Sequence, residues 1–233
     1  MKITELERIA RLEKKKKIVS LIDNTFASPI NQTPSNFGID VVIHSATKYL
    51  GGHSDICAGA VAASNEHIGK IWNVAKNLGG SLSEYTVWLL ERSMKTLAIR
   101  VKAHNKNAKK IAKWLQKHPL VNQVHYPGLK THPNYKLAKK QMKGCTGMLS
   151  FELNESVNSD VFLKSLTLIK PSMSLAGVES TILAPSKTSH ALLGEEERKN
   201  QGISEGLLRL SVGIEDTKDL LLDLEKAFEM SNI

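Results

Sequence analysis

No uninterrupted apolar run in this chain reaches the roughly eighteen residues that a membrane-crossing helix needs, so a membrane span is not expected. The start of the chain also has no long apolar stretch or small-residue cleavage site. Met1 to Glu13 mixes acids, bases and apolar residues in a helical rhythm, unlike a secretory signal. Cysteine is scarce: Cys57 and Cys145 cannot build a disulfide framework in 233 residues. They read as buried free thiols of a reducing, cytoplasmic compartment. Aromatic residues are only 5% of the chain, too few for a base-stacking platform. The net charge of +9 concentrates at Lys14 to Lys17, Lys102 to Lys117 and Lys136 to Lys143. Without a recognisable nucleic-acid module, it reads as a solvated basic surface that also attracts small anions. His44, His53 and His190 fall in no H-E-x-x-H or Cys/His ligand spacing, so no metal is expected. No repeat and no low-complexity segment is present.

What remains is 41% apolar residues in a length that suits one large domain or two small ones. Thr4-Glu5-Leu6-Glu7 reads as a capping box opening a helix that ends in the lysine run. Ile18 to Ile22, Val41 to Ile43 and Ala58 to Ala63 read as buried strands. Asn65 reads as the cap of a helix that turns Ile68, Ile71, Trp72 and Ala75 inward and stops at Gly79-Gly80. Ser83 reads as the cap of a helix from Glu84 to Arg92. Short apolar strands alternating with helices predict an α/β layer with a mainly parallel sheet, whose ligands lie beyond the carboxyl ends of the strands. The pattern changes near residue 93. A long helix from Met94 to Lys117, alternating strands over Met148 to Leu153 and Leu207 to Val212, and a last helix from Asp216 predict an α+β second domain. The expected boundaries are 1–93 and 94–233.

One stretch points to chemistry: His44-Ser45-Ala46-Thr47-Lys48-Tyr49-Leu50-Gly51-Gly52 follows the strand Val41-Val42-Ile43. A lysine at the end of a buried strand can lose its proton by desolvation and attack a carbonyl. Hydroxyls beside a Gly-Gly turn suit a phosphate. An aldehyde cofactor that carries a phosphate, pyridoxal 5'-phosphate (PLP), satisfies both. Asp23 and Lys48 each lie at a strand's carboxyl end and can converge on one ligand. Read alone, Asp23 is equally a turn residue, Ser174 a turn hydroxyl and Arg209 a surface residue of a half-solvated strand.

Several segments resemble the PLP-dependent enzymes of cysteine and methionine metabolism, which include cystathionine γ-synthase, the cystathionine β- and γ-lyases and methionine γ-lyase. They are Asp23-Asn24-Thr25-Phe26-Ala27-Ser28-Pro29, the Lys48 stretch, Tyr126-Pro127-Gly128-Leu129, Gly147-Met148-Leu149-Ser150-Phe151, Ser174-Leu175-Ala176-Gly177-Val178-Glu179-Ser180 and Leu208-Arg209-Leu210-Ser211-Val212-Gly213-Ile214-Glu215-Asp216. The resemblance runs in order over essentially the whole chain. It implies part of a fold type I large domain followed by the C-terminal small domain. It implies Lys48 as the residue that joins PLP in an internal aldimine and shuttles protons. Asp23 would pair with the pyridinium nitrogen, Thr25 would lie beside the ring, and Ser45 and Thr47 would hold the phosphate end. Arg209 would grip the substrate α-carboxylate, with Ser174 beside it. The implied activity is carbon–sulfur lyase or γ-synthase chemistry on a small sulfur-containing amino acid, in a homo-oligomer, with neither nucleic acid nor membrane as partner.

Two departures from the family qualify that expectation. Residues 3 to 22 resemble a helix and strand from the middle of the large domain. The resemblance therefore implies a chain without the N-terminal part, which in the family supplies the glycine turn at the phosphate, the tyrosine stacked on the ring, and Tyr and Arg reaching the neighbouring subunit. A non-catalytic member that needs an N-terminal partner is the alternative reading. Met173 stands where several cystathionine-processing members carry glutamate, which favours smaller or less polar sulfur amino acids.

Overall fold

A computed structural model describes residues 2–232. In chain order its elements are α1 (Leu6–Lys16), β1 (Leu21–Asp23), α2 (Ser28–Asn31), β2 (Val41–Ser45), β3 (Gly59–Ala63), α3 (Asn65–Leu78), α4 (Glu84–Met94), α5 (Leu97–Leu115), β4 (Val121–His125), α6 (Tyr135–Gln141), β5 (Met148–Leu153), α7 (Ser159–Ser165), β6 (Lys170–Pro171), β7 (Thr181–Leu183), α8 (Glu195–Asn200), β8 (Leu207–Ser211) and α9 (Thr217–Ser231). They form two sheets. The first has order β1-β2-β3, with β1 parallel and β3 antiparallel to the central strand. The second has order β4-β5-β8-β7-β6 and is antiparallel except for β6 beside β7.

The larger core lies on the second sheet. Strand β5 alternates, so Met148, Leu149, Phe151 and Leu153 are buried while Ser150 and Glu152 stay half-exposed. Leu208, Leu210 and Val212 are buried beside them, and Ile111 and Leu115 of α5 with Leu220, Leu224 and Phe228 of α9 close the cluster. Asp216 caps α9, its Oδ1 accepting from the Lys218 amide at 2.7 Å.

Several local expectations are corrected. The start of α1 is not held by a capping box: Glu5 is the N-cap and makes no side-chain cap bond. The Leu6 amide instead donates to Gln141 Oε1 at 3.1 Å, and Gln141 Nε2 donates to the Thr4 carbonyl at 3.0 Å. The cap of α3 is Ser64 rather than Asn65, its hydroxyl accepting from the His67 amide. The long helix begins at Leu97, because Lys95 and Thr96 close a turn at the end of α4. Cys57 is exposed and Cys145 half-buried, so only part of the buried-thiol reading survives. The inward face expected of α3 is not covered: no residue of this helix is buried, and Trp72 is 60% and Leu78 80% exposed.

Candidate functional site

The pairing of β1 with β2 sets Asp23 against Ile43 at the carboxyl ends of two parallel neighbours. The chain then turns. The Asn24 amide donates to the Ile43 carbonyl at 2.8 Å, and Asp23 Oδ1 accepts from the Thr25 amide at 2.9 Å. Thr25 is buried, and its Oγ1 accepts from the Ser45 amide at 2.7 Å. This bond ties the end of β1 to the start of the Lys48 turn. Asp23 itself is exposed, and its negative charge partly offsets the burial that pushes the His44 imidazole below its usual pKa. Asp23 borders a cavity of about 240 Å³ with Ile22, Phe26 and Gln141, and Lys48 is not among the residues lining it.

The turn after β2 is held on every side. The Lys48 amide donates to the Ser45 carbonyl at 3.1 Å, and the Gly52 amide donates to the Lys48 carbonyl at 2.6 Å. Thr47 Oγ1 accepts from the Ala58 amide at 3.0 Å and faces the Ala58 carbonyl at 3.4 Å, so this hydroxyl is committed to the loop before β3. Ser45 Oγ and Lys48 Nζ carry no such bond among the described residues, and both side chains are half-buried.

Two residues that sequence reasoning did not single out fix this turn. Arg100 of α5 is buried, and its Nη1 donates to the Tyr49 carbonyl at 2.8 Å. Its Nη2 donates to the Leu50 carbonyl at 3.2 Å and the Ser93 carbonyl at 2.9 Å. Gly52, at φ +73°, makes room for it: a Cβ there would stand 2.0 Å from Nη1. Tyr49 is buried and also hydrogen-bonded. Its hydroxyl accepts from the Gly147 amide at 2.9 Å and meets Thr146 Oγ1 at 3.1 Å. Thr146 Oγ1 in turn donates to the Phe26 carbonyl at 2.5 Å. The local sequence gave no sign of these links, since Arg100 and Thr146 lie roughly fifty and a hundred positions from the turn.

The second sheet brings in Arg209 and Ser174. Arg209, on β8, is paired in register with Ser150 and Leu183. Its Nη2 donates to the carbonyls of Met173 at 3.0 Å and Ser174 at 3.3 Å. Its Nε is buried without a protein partner among the described residues. Burial lowers the guanidinium pKa from its usual value. The loop after Ser174 reaches the lysine turn: Leu175 and Ala176 pack with Ala46, Tyr49 and Leu50, and the Val178 amide donates to the Gly52 carbonyl at 2.9 Å. Ala176 holds a left-handed φ of 63°, a costly conformation for a residue with a side chain, and its amide is fixed by Ser211 Oγ at 2.7 Å. A continuous band of contacts therefore runs from Asp23 through the Lys48 turn to Ser174 and Arg209.

Comparison with known proteins identifies the family. Residues 1–229 match the family described as Cys/Met metabolism PLP-dependent enzyme. The chain is 44% identical over 230 residues to a cystathionine γ-lyase of Bacillus subtilis, covering 98% of this chain and 61% of that protein. It is 43% identical to a cystathionine β-lyase of Lactococcus lactis, covering 98% and 60%. Among solved structures, the cystathionine γ-lyase of Lactobacillus plantarum complexed with L-serine superimposes with a TM-score of 0.95 at 42% identity, covering 99% of this chain and 61% of the other. The cystathionine γ-synthase of Xanthomonas oryzae in complex with cystathionine gives 0.93 at 43%, covering 98% and 59%. The chain thus spans about 60% of the length of the curated relatives it matches.

Proposed function

The chain belongs to the family of PLP-dependent enzymes of cysteine and methionine metabolism, and from that premise we propose that it carries the working residues of a carbon–sulfur lyase or γ-synthase acting on a sulfur-containing amino acid. The observation that supports this reading is a set of unspent polar groups on a rigid frame. Lys48 Nζ, Ser45 Oγ, the second oxygen of Asp23 and Arg209 Nε sit at positions fixed by backbone bonds, and none makes a hydrogen bond to protein among the described residues. Their chemistry fits PLP and an amino acid: an amine for the aldehyde carbon, a carboxylate for the ring nitrogen, a hydroxyl for the phosphate and a guanidinium for the α-carboxylate. When bound, PLP supplies an electron sink for negative charge that develops on a substrate carbon.

Each residue then has a task. Lys48 Nζ holds the cofactor and, when free of it, takes a proton from the substrate Cα. Asp23 keeps a fixed negative charge that favours a proton on the ring nitrogen. Thr25 sets the end of β1 through its bond from Ser45, Ser45 Oγ meets the phosphate, and Thr47 braces the turn through Ala58. Arg209, with one side of its guanidinium anchored on Met173 and Ser174, grips the α-carboxylate through parallel N–H groups, which a lysine cannot do. The Met173 side chain is exposed and apolar, which suits sulfur amino acids whose far end needs no anionic partner. Residues 1–93 are part of the cofactor-binding large domain and 94–233 the C-terminal domain in this reading.

The test is covalent trapping. The chain is incubated with PLP, reduced with borohydride, digested and analysed by mass spectrometry. The cofactor-derived mass is expected on Lys48 and absent in Lys48→Ala. Arg209→Lys is expected to keep the label and lose turnover of sulfur amino acids. Label spread evenly over surface lysines in both wild type and Lys48→Ala would overturn the reading.

A further inference from the structure

Charge is unevenly divided along this chain. The sixty residues 92–151 contain twelve lysines and two arginines and not one Asp or Glu. The other 173 residues carry 18 Lys and Arg against 23 Asp and Glu. The basic stretch includes α5 and α6, and residues of both helices line one cleft of about 460 Å³. Lys102, Lys106 and Lys109 line it from successive turns of α5. Lys139 of α6 and Lys143 just after it form the second group, with Tyr135 also in the lining and no carboxylate anywhere in it.

Some exposed lysines elsewhere in the molecule find a carboxylate. Lys70 pairs with Glu66, Lys140 with Glu7, Lys187 with Asp160 and Lys199 with Glu195. None of the five cleft lysines forms an ion pair among the described residues. Five like charges around a concave space with partly apolar walls focus a strong positive potential, and their mutual repulsion is relieved when an anion enters. The volume lies in the ordinary range of small-molecule sites, roughly 300–1,000 Å³. Lys48, Asp23 and Arg209 are not in its lining, although Pro127 and Met142 line both it and the cavity beside Asp23.

We propose that this cleft binds a small anion carrying two or more linked phosphates. Ammonium groups contributed by two separate segments of the chain suit separate phosphates as point-charge partners, and one linked chain of phosphates can meet both groups of lysines at once. A nucleic-acid footprint would need stacking side chains along a longer track. Here Tyr135 is only half-exposed and Tyr126, the other aromatic residue of the lining, is buried.

Sodium tripolyphosphate is the probe, titrated calorimetrically into the full chain at low and at near-physiological salt. One saturable site is expected, weakening as salt rises. Lys106→Gln with Lys139→Gln, one change in each group, is expected to weaken binding at least about tenfold, the loss of two modest charge contacts. Lys102→Gln with Lys143→Gln is expected to do the same. Lys218→Gln with Lys226→Gln on α9, outside the cleft, is expected to change affinity less than about twofold. Circular dichroism confirms that each variant is folded. The proposal is overturned by the absence of saturation, by equal weakening in the α9 pair, or by a single-stranded RNA oligomer that binds more tightly and displaces the probe through the same lysines.

Discussion

At the scale of single residues, His104 shows how the frame around the lysine turn responds to acid. It is fully buried on α5, its Nδ1–H donates to the Val212 carbonyl at 2.7 Å, and its Nε2 has no partner among the described residues. Its ring meets Tyr49 edge-on at 5.3 Å. Burial holds its pKa down at about 4. In the unfolded chain the imidazole titrates near the ordinary value of about 6.5. Above that pH both states are neutral and His104 adds no slope. As pH falls from about 6.5 to 4, the unfolded chain takes up a proton that the native state refuses, so stability drops, by roughly 3 kcal/mol over the window. Below it both states are protonated and the slope vanishes. Urea unfolding at intervals across this window is expected to show the decline in wild type and a clearly smaller decline in His104→Gln. Equal slopes in the two proteins would mean that the native site accepts the proton and that Tyr49 and Val212 give way.

At the scale of elements, two helices with similar apolar periodicity have opposite fates. In α9, Leu224 is fully buried against the second sheet. In α3, Trp72 and Leu78 face outward. Leu224→Ala is therefore expected to cost about 2–5 kcal/mol, and Trp72→Gln less than about 0.5 kcal/mol, the range of a surface change. Chemical denaturation of the two variants decides it, and a large cost for Trp72→Gln would show that α3 is covered in solution. This contrast also marks what sequence can tell. Periodicity reports that a helix has an apolar face but not whether another layer lies on it. The alternation of β5 and β8, the start of the last helix near Asp216 and the strand-end placement of Lys48 were legible because each is written within a few adjacent residues. The hold of Arg100 on the lysine turn and of Gln141 on the start of α1 was not. Each depends on carbonyls or amides that carry no side-chain signature and lie tens to more than a hundred positions away.

At the scale of the whole molecule, the two sheets have unequal support. The second rests on a core that joins α5, α7 and α9, whereas the first is three strands wide with β1 and β3 both at an edge. On its flank, Val19, Leu21, Trp72, Val87 and Trp88 are all half or more exposed. Little apolar burial protects α3 and α4, so their local opening free energy falls well below that of β5 and β8. The lysine turn lies between these regimes: β2 belongs to the weaker sheet, but Arg100, Tyr49 and the Val178 amide fasten the turn to the stronger body. Native-state hydrogen exchange is expected to give three tiers. Amides of α3 and α4 exchange first, those of Lys48 to Gly52 later, and those of β5 and β8 only through global unfolding. Repeating the measurement at a tenfold higher protein concentration tests the reason for the order. If α3 amides become as slow as those of β5, association has covered the apolar face; if they stay fast while the turn stays slow, the turn owes its rigidity to its own bonds across to α5 and β5.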